Sequence, residues 1–257
     1  MPLGPKIDIW RKINIIYEEK GFLVLDKPAG LTVHPHAHQK NGTLVDWLLE
    51  RYPEIRGVGE SFRPGLVHRL DRDVSGLMLV AKNISYYHYL VKQFQKHRVQ
   101  KKYLALVQGE VPSLSGIINF SIGRNRKGKL VAFSLKEKNF INAAGYKNVK
   151  RAITKYRVVQ KFNNFTLLEL QILTGRTNQI RLHLKTWGFP IVGDKKYFSI
   201  KSLEGNLKKE IKRIFLHAFY LSFLNRKGEV LEYESNCPLE LKNFLCLIKN
   251  RKHEDLS

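Results

Sequence analysis

Short runs of apolar and β-branched residues follow one another along this chain, and they constrain its fold more than any other feature. The runs cover residues 13–17, 22–25, 77–81, 103–108, 152–160, 166–173 and 214–224, and most are bounded by glycine, proline or asparagine. Such bounded runs are typical of strands. Because they do not alternate regularly with long helical segments, the sequence favours an α+β fold with a mixed, mainly antiparallel sheet over a doubly wound parallel sheet.

Four helical segments are predicted between and after these strands. Thr43 followed by Asp46 is a capping-box pattern, and Ser85 is expected to open a second segment with apolar residues on one face. Thr177 is predicted to cap a third helix. Pro238 is predicted at the first position of a final amphipathic helix that packs on the sheet.

Neither a repeat nor a low-complexity linker divides the 257 residues, so one domain is expected. Residues 13–25 form a predicted hairpin that turns at 18–21. Residues 123–128 form a basic loop with Arg124, Arg126, Lys127 and Lys129. This loop could cross a phosphate backbone, but a solvated hairpin tip explains the same charges.

The charge balance narrows the class of partner. Lys and Arg number 45 against 22 Asp and Glu, which gives a formal net charge of +23 and a pI near 10.0. Such an excess favours a polyanion, and the sequence shows neither an apolar run that could span a bilayer nor a signal-peptide core. Cys237 and Cys246 fit no zinc or redox spacing. We therefore expect a cytoplasmic protein that binds nucleic acid.

The densest polar cluster, residues 64–76, lies directly before the run at 77–81. Within it Asp71 has Arg69 and Arg72 close by, and nearby positive charge favours an ionised carboxylate. An ionised carboxylate can act as a nucleophile, as a base or as a stabiliser of a cationic sugar. The alternative is a set of ordinary surface ion pairs among Arg69, Asp71, Arg72 and Asp73.

Two further segments carry candidate chemistry. In residues 174–184 Arg176 lies in a predicted turn, while Arg181 in the following helix could reach a carboxylate at the sheet edge or bind phosphate. The alternative is an amphipathic helix with solvated arginines. Tyr103 follows Lys102 and could stack on a base while the lysine holds phosphate, although a strand tyrosine also fits a core.

The order of these segments gives the sequence a family resemblance. They are VLDKPAGL at 24–31, HRLDRDVSGL at 68–77, KYLA at 102–105, TGRTNQIRLH at 174–183, GDKKY at 193–197 and LHA at 216–218. In this order the segments resemble the RluA-type RNA pseudouridine synthases. The resemblance covers nearly the whole chain after the first dozen residues, and the segment at 68–77 is its most specific part.

The resemblance implies a catalytic domain over residues 13–250, with an extension at 1–12, a tail at 251–257 and a central basic RNA-binding cleft. It implies that Asp71 is essential, that Tyr103 contacts the target base and that Arg181 pairs with Asp71. It also implies that Arg69 enters the RNA stack where the target base has left. The remaining residues expected to bind RNA are His68, Arg72, Arg176 and Lys102.

Three positions depart from the family pattern. Val74 and Asn178 stand where Thr and His are usual, and Phe198 follows Tyr197 where Gly is common. None of these changes removes a charged catalytic group. We expect them to bear on substrate recognition.

The implied reaction breaks the bond from N1 to C1′ of a uridine and joins C5 to C1′. No atom leaves overall, so we expect neither a metal nor an organic cofactor. Asp71 could attack C1′ or remove a proton from C2′, and both routes stay open. We expect a monomer that acts on large-subunit ribosomal RNA, with transfer RNA as the second choice.

Two other functions compete with this one. One is a noncatalytic RNA-binding or ribosome-assembly factor, which would have no need of an ionised aspartate in a cationic cleft. The other is a metal-dependent nuclease that would use carboxylates with a histidine, although the surrounding arginines would repel a divalent ion. Its candidate ligands are Asp26, Asp71, Asp73, His34 and His68.

Overall fold

The computed structural model describes residues 5–35, 39, 41–134, 145–198, 203 and 207–254. The chain forms two compact units. The first unit contains Met1–Lys101 and His217–Asn236, and the second unit contains Lys102–Leu216 and Cys237–Ser257. This division into units does not test the predicted domain boundaries, which stay a prediction. The first four residues of the predicted extension and the last three of the predicted tail lie outside the described residues.

The described part of the chain contains ten strands and six α-helices. The strands are β1 (Asn14–Glu18), β2 (Phe22–Lys27), β3 (Ser75–Ala81), β4 (Gln100–Gln108), β5 (Ser115–Arg124), β6 (Leu130–Phe133), β7 (Lys147–Phe162), β8 (Phe165–Ile172), β9 (Leu216–Leu224) and β10 (Val230–Glu234). The helices are α1 (Pro5–Trp10), α2 (Leu44–Arg51), α3 (Ile84–Gln95), α4 (Gln179–Trp187), α5 (Leu207–Glu210) and α6 (Leu239–Glu254). Each predicted strand run overlaps one of these strands.

The sheet of the first unit has the order β1-β2-β3-β9, with β10 paired to β9. Its pairings are antiparallel except for β3 with β9, which run parallel where Ser75 lies beside His217 and Gly76 beside Ala218. All seven residues of β3 are buried. A strand that is covered on both faces carries an unbroken apolar run, and the sequence of β3 has that character.

Helices α2 and α3 of the first unit begin at side-chain caps. Thr43 and Asp46 form the predicted capping box at the start of α2, so that prediction is confirmed. The prediction that Ser85 opens α3 was wrong. The carbonyl oxygen of the Asn83 side chain accepts the N–H of Tyr86 at 2.9 Å, so asparagine caps the helix two residues earlier.

The sheet of the second unit has the order β4-β8-β7-β5-β6 and is antiparallel throughout. The basic loop predicted at 123–128 is the turn between β5 and β6. There the side chain of Asn125 accepts the N–H groups of Lys127 and Lys129 at 3.1 and 3.0 Å. Helix α4 packs on this sheet, where Leu182 joins Ile122 and Ala152 in a buried cluster.

Two predicted helix starts in the second unit need correction. Helix α4 begins after Asn178, not after a Thr177 cap, and Asn178 has a left-handed backbone with φ of 54° and no side-chain cap. Asparagine tolerates this conformation better than threonine, whose β-branch resists it. Helix α6 begins at Leu239, one residue after Pro238, whose carbonyl accepts the N–H of Lys242 at 3.0 Å.

Two further expectations about the fold agree with the structure. Helix α6 contacts β7 and buries Leu241, Phe244 and Ile248, which confirms its predicted packing on the sheet. The predicted class, an α+β fold with a mixed and mainly antiparallel sheet, is confirmed. In the part of the chain described, no helix has both the length and the apolar character needed to cross a membrane.

Candidate active site

A buried lysine fixes the backbone around the predicted catalytic loop, residues 66–74. Lys27 ends β2 with a fully buried side chain, and its Nζ donates to the carbonyls of Pro28 and Leu31 at 2.9 Å and of Arg72 at 3.1 Å. The Arg72 carbonyl also accepts the N–H of Gly30 at 2.8 Å. A buried charge needs such partners, so Lys27 ties the loop to the turn that follows β2.

His68 provides a second anchor for the same loop. Its Nε2 accepts the backbone N–H of Leu79 at 2.9 Å, and its ring stacks on Phe94 with centroids 5.0 Å apart. Because Nε2 accepts, a neutral ring carries its proton on Nδ1. Burial, with a smaller contribution from the Lys101 charge, lowers the pKa of His68 well below its usual value. His68 therefore holds the loop as a neutral side chain.

A third set of contacts fixes the start of β3. The Ser75 hydroxyl lies 2.9 Å from Nδ1 of His217 in a buried pair. Gly76 has φ of 126°, and a Cβ at this position would come within 2.3 Å of the Ala218 carbonyl oxygen. A side chain there would force the parallel strands β3 and β9 apart, so the close pairing requires glycine.

Asp71 lies on the loop that these contacts hold. Its side chain is half-buried, and its carbonyl accepts the N–H of Val74 at 3.2 Å in a tight turn. Arg69 and Arg72 are exposed, and each contacts the segment that follows β2. Arg69 Nη1 lies 2.9 Å from His34 Nε2, and Arg72 Nε donates to the Gly30 carbonyl at 3.1 Å. The loop thus presents two exposed guanidinium groups beside a half-buried carboxylate.

In the second unit a buried ion pair orients Arg181. Its Nε and Nη2 donate to the two carboxylate oxygens of Asp194, each at 2.7 Å. Asp194 is 1% exposed, and one of its oxygens also accepts the N–H of Lys196 at 3.0 Å. The guanidinium lies over the ring of Tyr197, 5.3 Å from its centroid. A bidentate pair fixes the plane of the guanidinium, not only its position.

Tyr103 and Lys102 lie on β4. Tyr103 is 5% exposed and is paired across the sheet with Leu170. Lys102 Nζ lies 3.8 Å from a carboxylate oxygen of Glu169, which also accepts from Arg157 at 3.0 Å. Lys102 therefore contributes to a partly exposed ion-pair network on the sheet, and its predicted contact with RNA stays a prediction.

Gln179 holds the turn that carries Arg176. Its buried side chain donates to the Ile153 carbonyl and to Thr154 Oγ1, both at 3.0 Å, and accepts the Arg176 N–H at 3.1 Å. The exposed Arg176 side chain donates to the Arg151 carbonyl at 3.3 Å. Gln179 thus joins the turn before α4 to β7.

The structure places the predicted catalytic residues in both units. Asp71 belongs to the first unit, and Tyr103 and Arg181 belong to the second. The pairing predicted between Arg181 and Asp71, and the basic cleft implied with it, stay predictions.

The sequence did not predict that three residues hold the geometry of the site: Lys27, His217 and Asp194. All three lie in the segments that carry the family resemblance. Their residue types could have indicated this role. A lysine, histidine or aspartate that is buried within an apolar segment or a turn needs hydrogen-bond partners.

The carboxylates named for a nuclease are not gathered in a metal-binding group. Asp26 on β2 accepts a hydrogen bond from the Ser235 hydroxyl. Among the residues that the structure describes, no group of three or more His, Cys, Asp and Glu side chains could hold a metal ion.

A half-buried carboxylate on a rigid loop, two exposed arginines beside it and a net charge of +23 define a class of protein that acts on nucleic acid. Comparison with known proteins gives the family. The family model described as RNA pseudouridylate synthase matches residues 21–186.

Individual relatives agree with that match. The chain is 37% identical over 234 residues to an uncharacterized RNA pseudouridine synthase of Bacillus subtilis, covering 91% of this chain and 72% of the relative. It is 35% identical over 240 residues to ribosomal large subunit pseudouridine synthase D of Borreliella burgdorferi, covering 93% of this chain and 68% of the relative. The solved structure of human RNA pseudouridylate synthase domain containing 1 superposes with a TM-score of 0.69 at 27% identity, covering 92% of this chain and 86% of that one.

The chain belongs to the RNA pseudouridine synthase family, and the resemblance seen in the sequence is confirmed. It is therefore an isomerase that converts uridine to pseudouridine in RNA.

Proposed function

We propose that this enzyme isomerises specific uridines in large-subunit ribosomal RNA. The observation that carries the proposal is the 35% identity, over 93% of the chain, to a relative named for the large ribosomal subunit. The net charge of +23 supports a large structured RNA as substrate, because binding by counterion release grows with the number of phosphates contacted.

Asp71 is the proposed reacting carboxylate. It attacks C1′ of the target ribose or removes a proton from C2′, and its charge serves both routes. The anchoring of its loop through Lys27 and His68 supports this role, because a reacting group must be held in place before the substrate arrives. On the first route the attack displaces N1 from C1′, the bound uracil rotates, and C5 then displaces the Asp71 carboxylate from C1′. On the second route N1 leaves C1′ as C2′ loses its proton, the uracil rotates, C5 bonds to C1′ and the proton returns to C2′. On both routes C5 finally loses its proton to water and N1 gains one, so a tritium label at C5 is released.

Arg181, Tyr103 and Arg69 are proposed to support Asp71. A guanidinium carries five N–H donors, so Arg181 can hold Asp194 through Nε and Nη2 and present a further edge to Asp71. Tyr103 contacts the uracil, and Arg69 fills the RNA stack that the target base has left. The exposure of Arg69 supports its part, because an inserted side chain must reach out from the surface.

The experiment is release of tritium from uracil C5, measured in excess chelator. The substrates are unmodified large-subunit ribosomal RNA and transfer RNA transcripts, both labelled at C5. We expect release from the ribosomal transcript and from neither substrate with Asp71→Asn. A matched control is Asp73→Asn, which removes an exposed carboxylate two residues away and should retain activity.

The outcomes separate the alternatives. Release from transfer RNA alone would reverse the substrate order. Silence on both RNAs, despite tight binding, would favour the noncatalytic factor for this chain. An equal loss of tritium release with Asp71→Asn and with Asp73→Asn would refute a specific role for Asp71.

A further inference from the structure

An exposed aromatic ring lies among cationic side chains close to the loop that carries Asp71. Phe62 is 56% exposed, and Arg63 lies over its ring with Cζ 5.4 Å from the centroid. The ring of His34 meets Phe62 in a T-shaped contact, with centroids 6.1 Å apart. Nε2 of that histidine lies 2.9 Å from Nη1 of Arg69. We call these four residues the Phe62 cluster.

The Phe62 cluster is held in place by contacts within the protein. Arg63 donates from Nε and Nη2 to the two carboxylate oxygens of Glu60, at 2.7 and 2.5 Å, in a bidentate ion pair. Arginine can only donate, so Nε2 of His34 accepts from Arg69, and its Nδ1 is left to donate to the Pro35 carbonyl 3.1 Å away. The ring of Phe62 is thus positioned while more than half of its surface remains open.

Single exposed apolar residues are common and usually mean nothing. The surroundings of Phe62 carry positive charge. Two arginines and a histidine lie in its contact network, and one of those arginines stands two residues before Asp71. An aromatic face among cations is the combination by which proteins hold unpaired nucleotides, since bases stack on the ring and phosphates pair with the charges.

We propose that Phe62 is a stacking platform for an unpaired base adjacent to the target uridine, with Arg63 beside the phosphate of that nucleotide. This inference rests on the proposed reaction at Asp71. Stacking accepts any base, so Phe62 selects unpaired structure around the target and not a base sequence. It makes Phe62 a determinant of substrate recognition that takes no part in the chemical step.

The test compares Phe62→Ala, Phe62→Leu and Phe62→Tyr with the native enzyme. KM and kcat are measured by tritium release from the large-subunit ribosomal transcript, and Kd by filter binding to the same RNA over a series of salt concentrations. Val230→Ala is the matched control, because Val230 in β10 is 59% exposed in the same unit but lies outside the Phe62 cluster.

We expect Phe62→Ala and Phe62→Leu to raise Kd and KM about 5-fold to 10-fold, which is the lower range for the loss of one stacked base. The kcat should change less than about 2-fold, and Phe62→Tyr and Val230→Ala should match the native enzyme. The slope of log Kd against log salt should not change, since no phosphate contact is lost. Native binding by Phe62→Leu, or an altered salt slope, would overturn the proposal.

Failure of the reaction and failure of the platform can be told apart. If the native enzyme releases no tritium, the proposed reaction fails, while the Kd series still tests stacking. If the native enzyme is active and the Phe62 variants bind and turn over RNA as it does, only the platform is refuted.

Discussion

Lys27 shows how much one buried side chain can determine at this site. Its ammonium donates to three carbonyls, and one of them belongs to Arg72, 45 residues along the chain. Lys27→Met would leave these carbonyls without that donor, and each buried group so left costs about 1–3 kcal/mol. Because the Arg72 carbonyl keeps the Gly30 N–H, the cost comes from the other two carbonyls, and we expect the free energy of unfolding to fall by about 2–6 kcal/mol in urea titrations, with a loss of turnover in the surviving fold.

The matched control for that change is Lys20→Met, which removes an exposed lysine from the turn between β1 and β2. It should move the free energy of unfolding by less than about 0.5 kcal/mol. Equal effects of the two substitutions would show that the carbonyl contacts of Lys27 do not stabilise the loop.

Arg181 gives a second prediction at the scale of single residues. Arg181→Lys keeps the positive charge but cannot form the two parallel bonds to Asp194. Misplacing a catalytic group by about 1 Å can cost about 100-fold in rate, so we expect kcat for tritium release to fall at least about 10-fold. Arg157→Lys, at an exposed ion pair with Glu169, is the control and should leave kcat nearly unchanged.

At the scale of elements, local sequence patterns predicted those helix starts that depend on contacts between residues close in sequence. Thr43 and Asp46 are three residues apart, and their capping box is visible in the sequence and present in the structure. The cap of α3 was misplaced because Asn83 and Ser85 are both good caps, and the choice depends on where the chain leaves β3. The predicted Thr177 cap of α4 was wrong because Asn178 has a left-handed backbone conformation. No pattern in the sequence predicts that conformation.

Helix α4 carries a prediction on pH. His183 is fully buried against the ring of Phe120 on β5, and burial lowers its pKa to about 4. In the unfolded chain a histidine titrates near 6.5, so below that pH the unfolded state takes up a proton that the folded state resists. Stability should therefore be complete above about pH 6.5 and should fall as the pH drops to 4.

The size of this effect follows from the difference between the two pKa values, which corresponds to about 3 kcal/mol when fully developed. Urea titrations between pH 7 and 4 would measure it. His183→Leu should reduce the dependence of the unfolding free energy on pH. The residual slope reflects other groups whose pKa is lower in the folded protein, among them His68 through burial, Glu18 through its hydrogen bond from Lys82 and Glu60 through its hydrogen bond from Arg63. An unchanged slope in His183→Leu would contradict the assignment.

At the scale of the whole molecule, the sequence predicted the fold class and the family better than the contacts that hold the candidate site. Asp71 was identified as a candidate through the segments that resemble the family, because its adjacent arginines alone fit surface ion pairs equally well. The partners of Ser75 and Lys27 were not, because they lie 142 and 45 residues away. Which side chains meet across such separations is decided only when the chain folds. Neither the hydrophobic pattern nor the local charge of the sequence predicts these contacts.

The net charge of the whole chain gives the last prediction, which concerns salt. Affinity for RNA should fall linearly on logarithmic axes as salt rises, with a slope set by the number of phosphates contacted. With about four contacts, the loss between 50 and 200 mM salt would be roughly 100-fold. Filter binding of the large-subunit ribosomal transcript would measure the slope.

Individual cations can then be assigned to the RNA by the same measurement. Arg176→Gln should reduce the slope by about one if its exposed side chain meets a phosphate. Lys20→Gln removes an equal charge from the turn between β1 and β2, and a diffuse attraction to the whole positive surface would make the two variants alike. A lower slope for Arg176→Gln alone would show that the charge of +23 acts through a defined surface, because only contacted phosphates release their counterions.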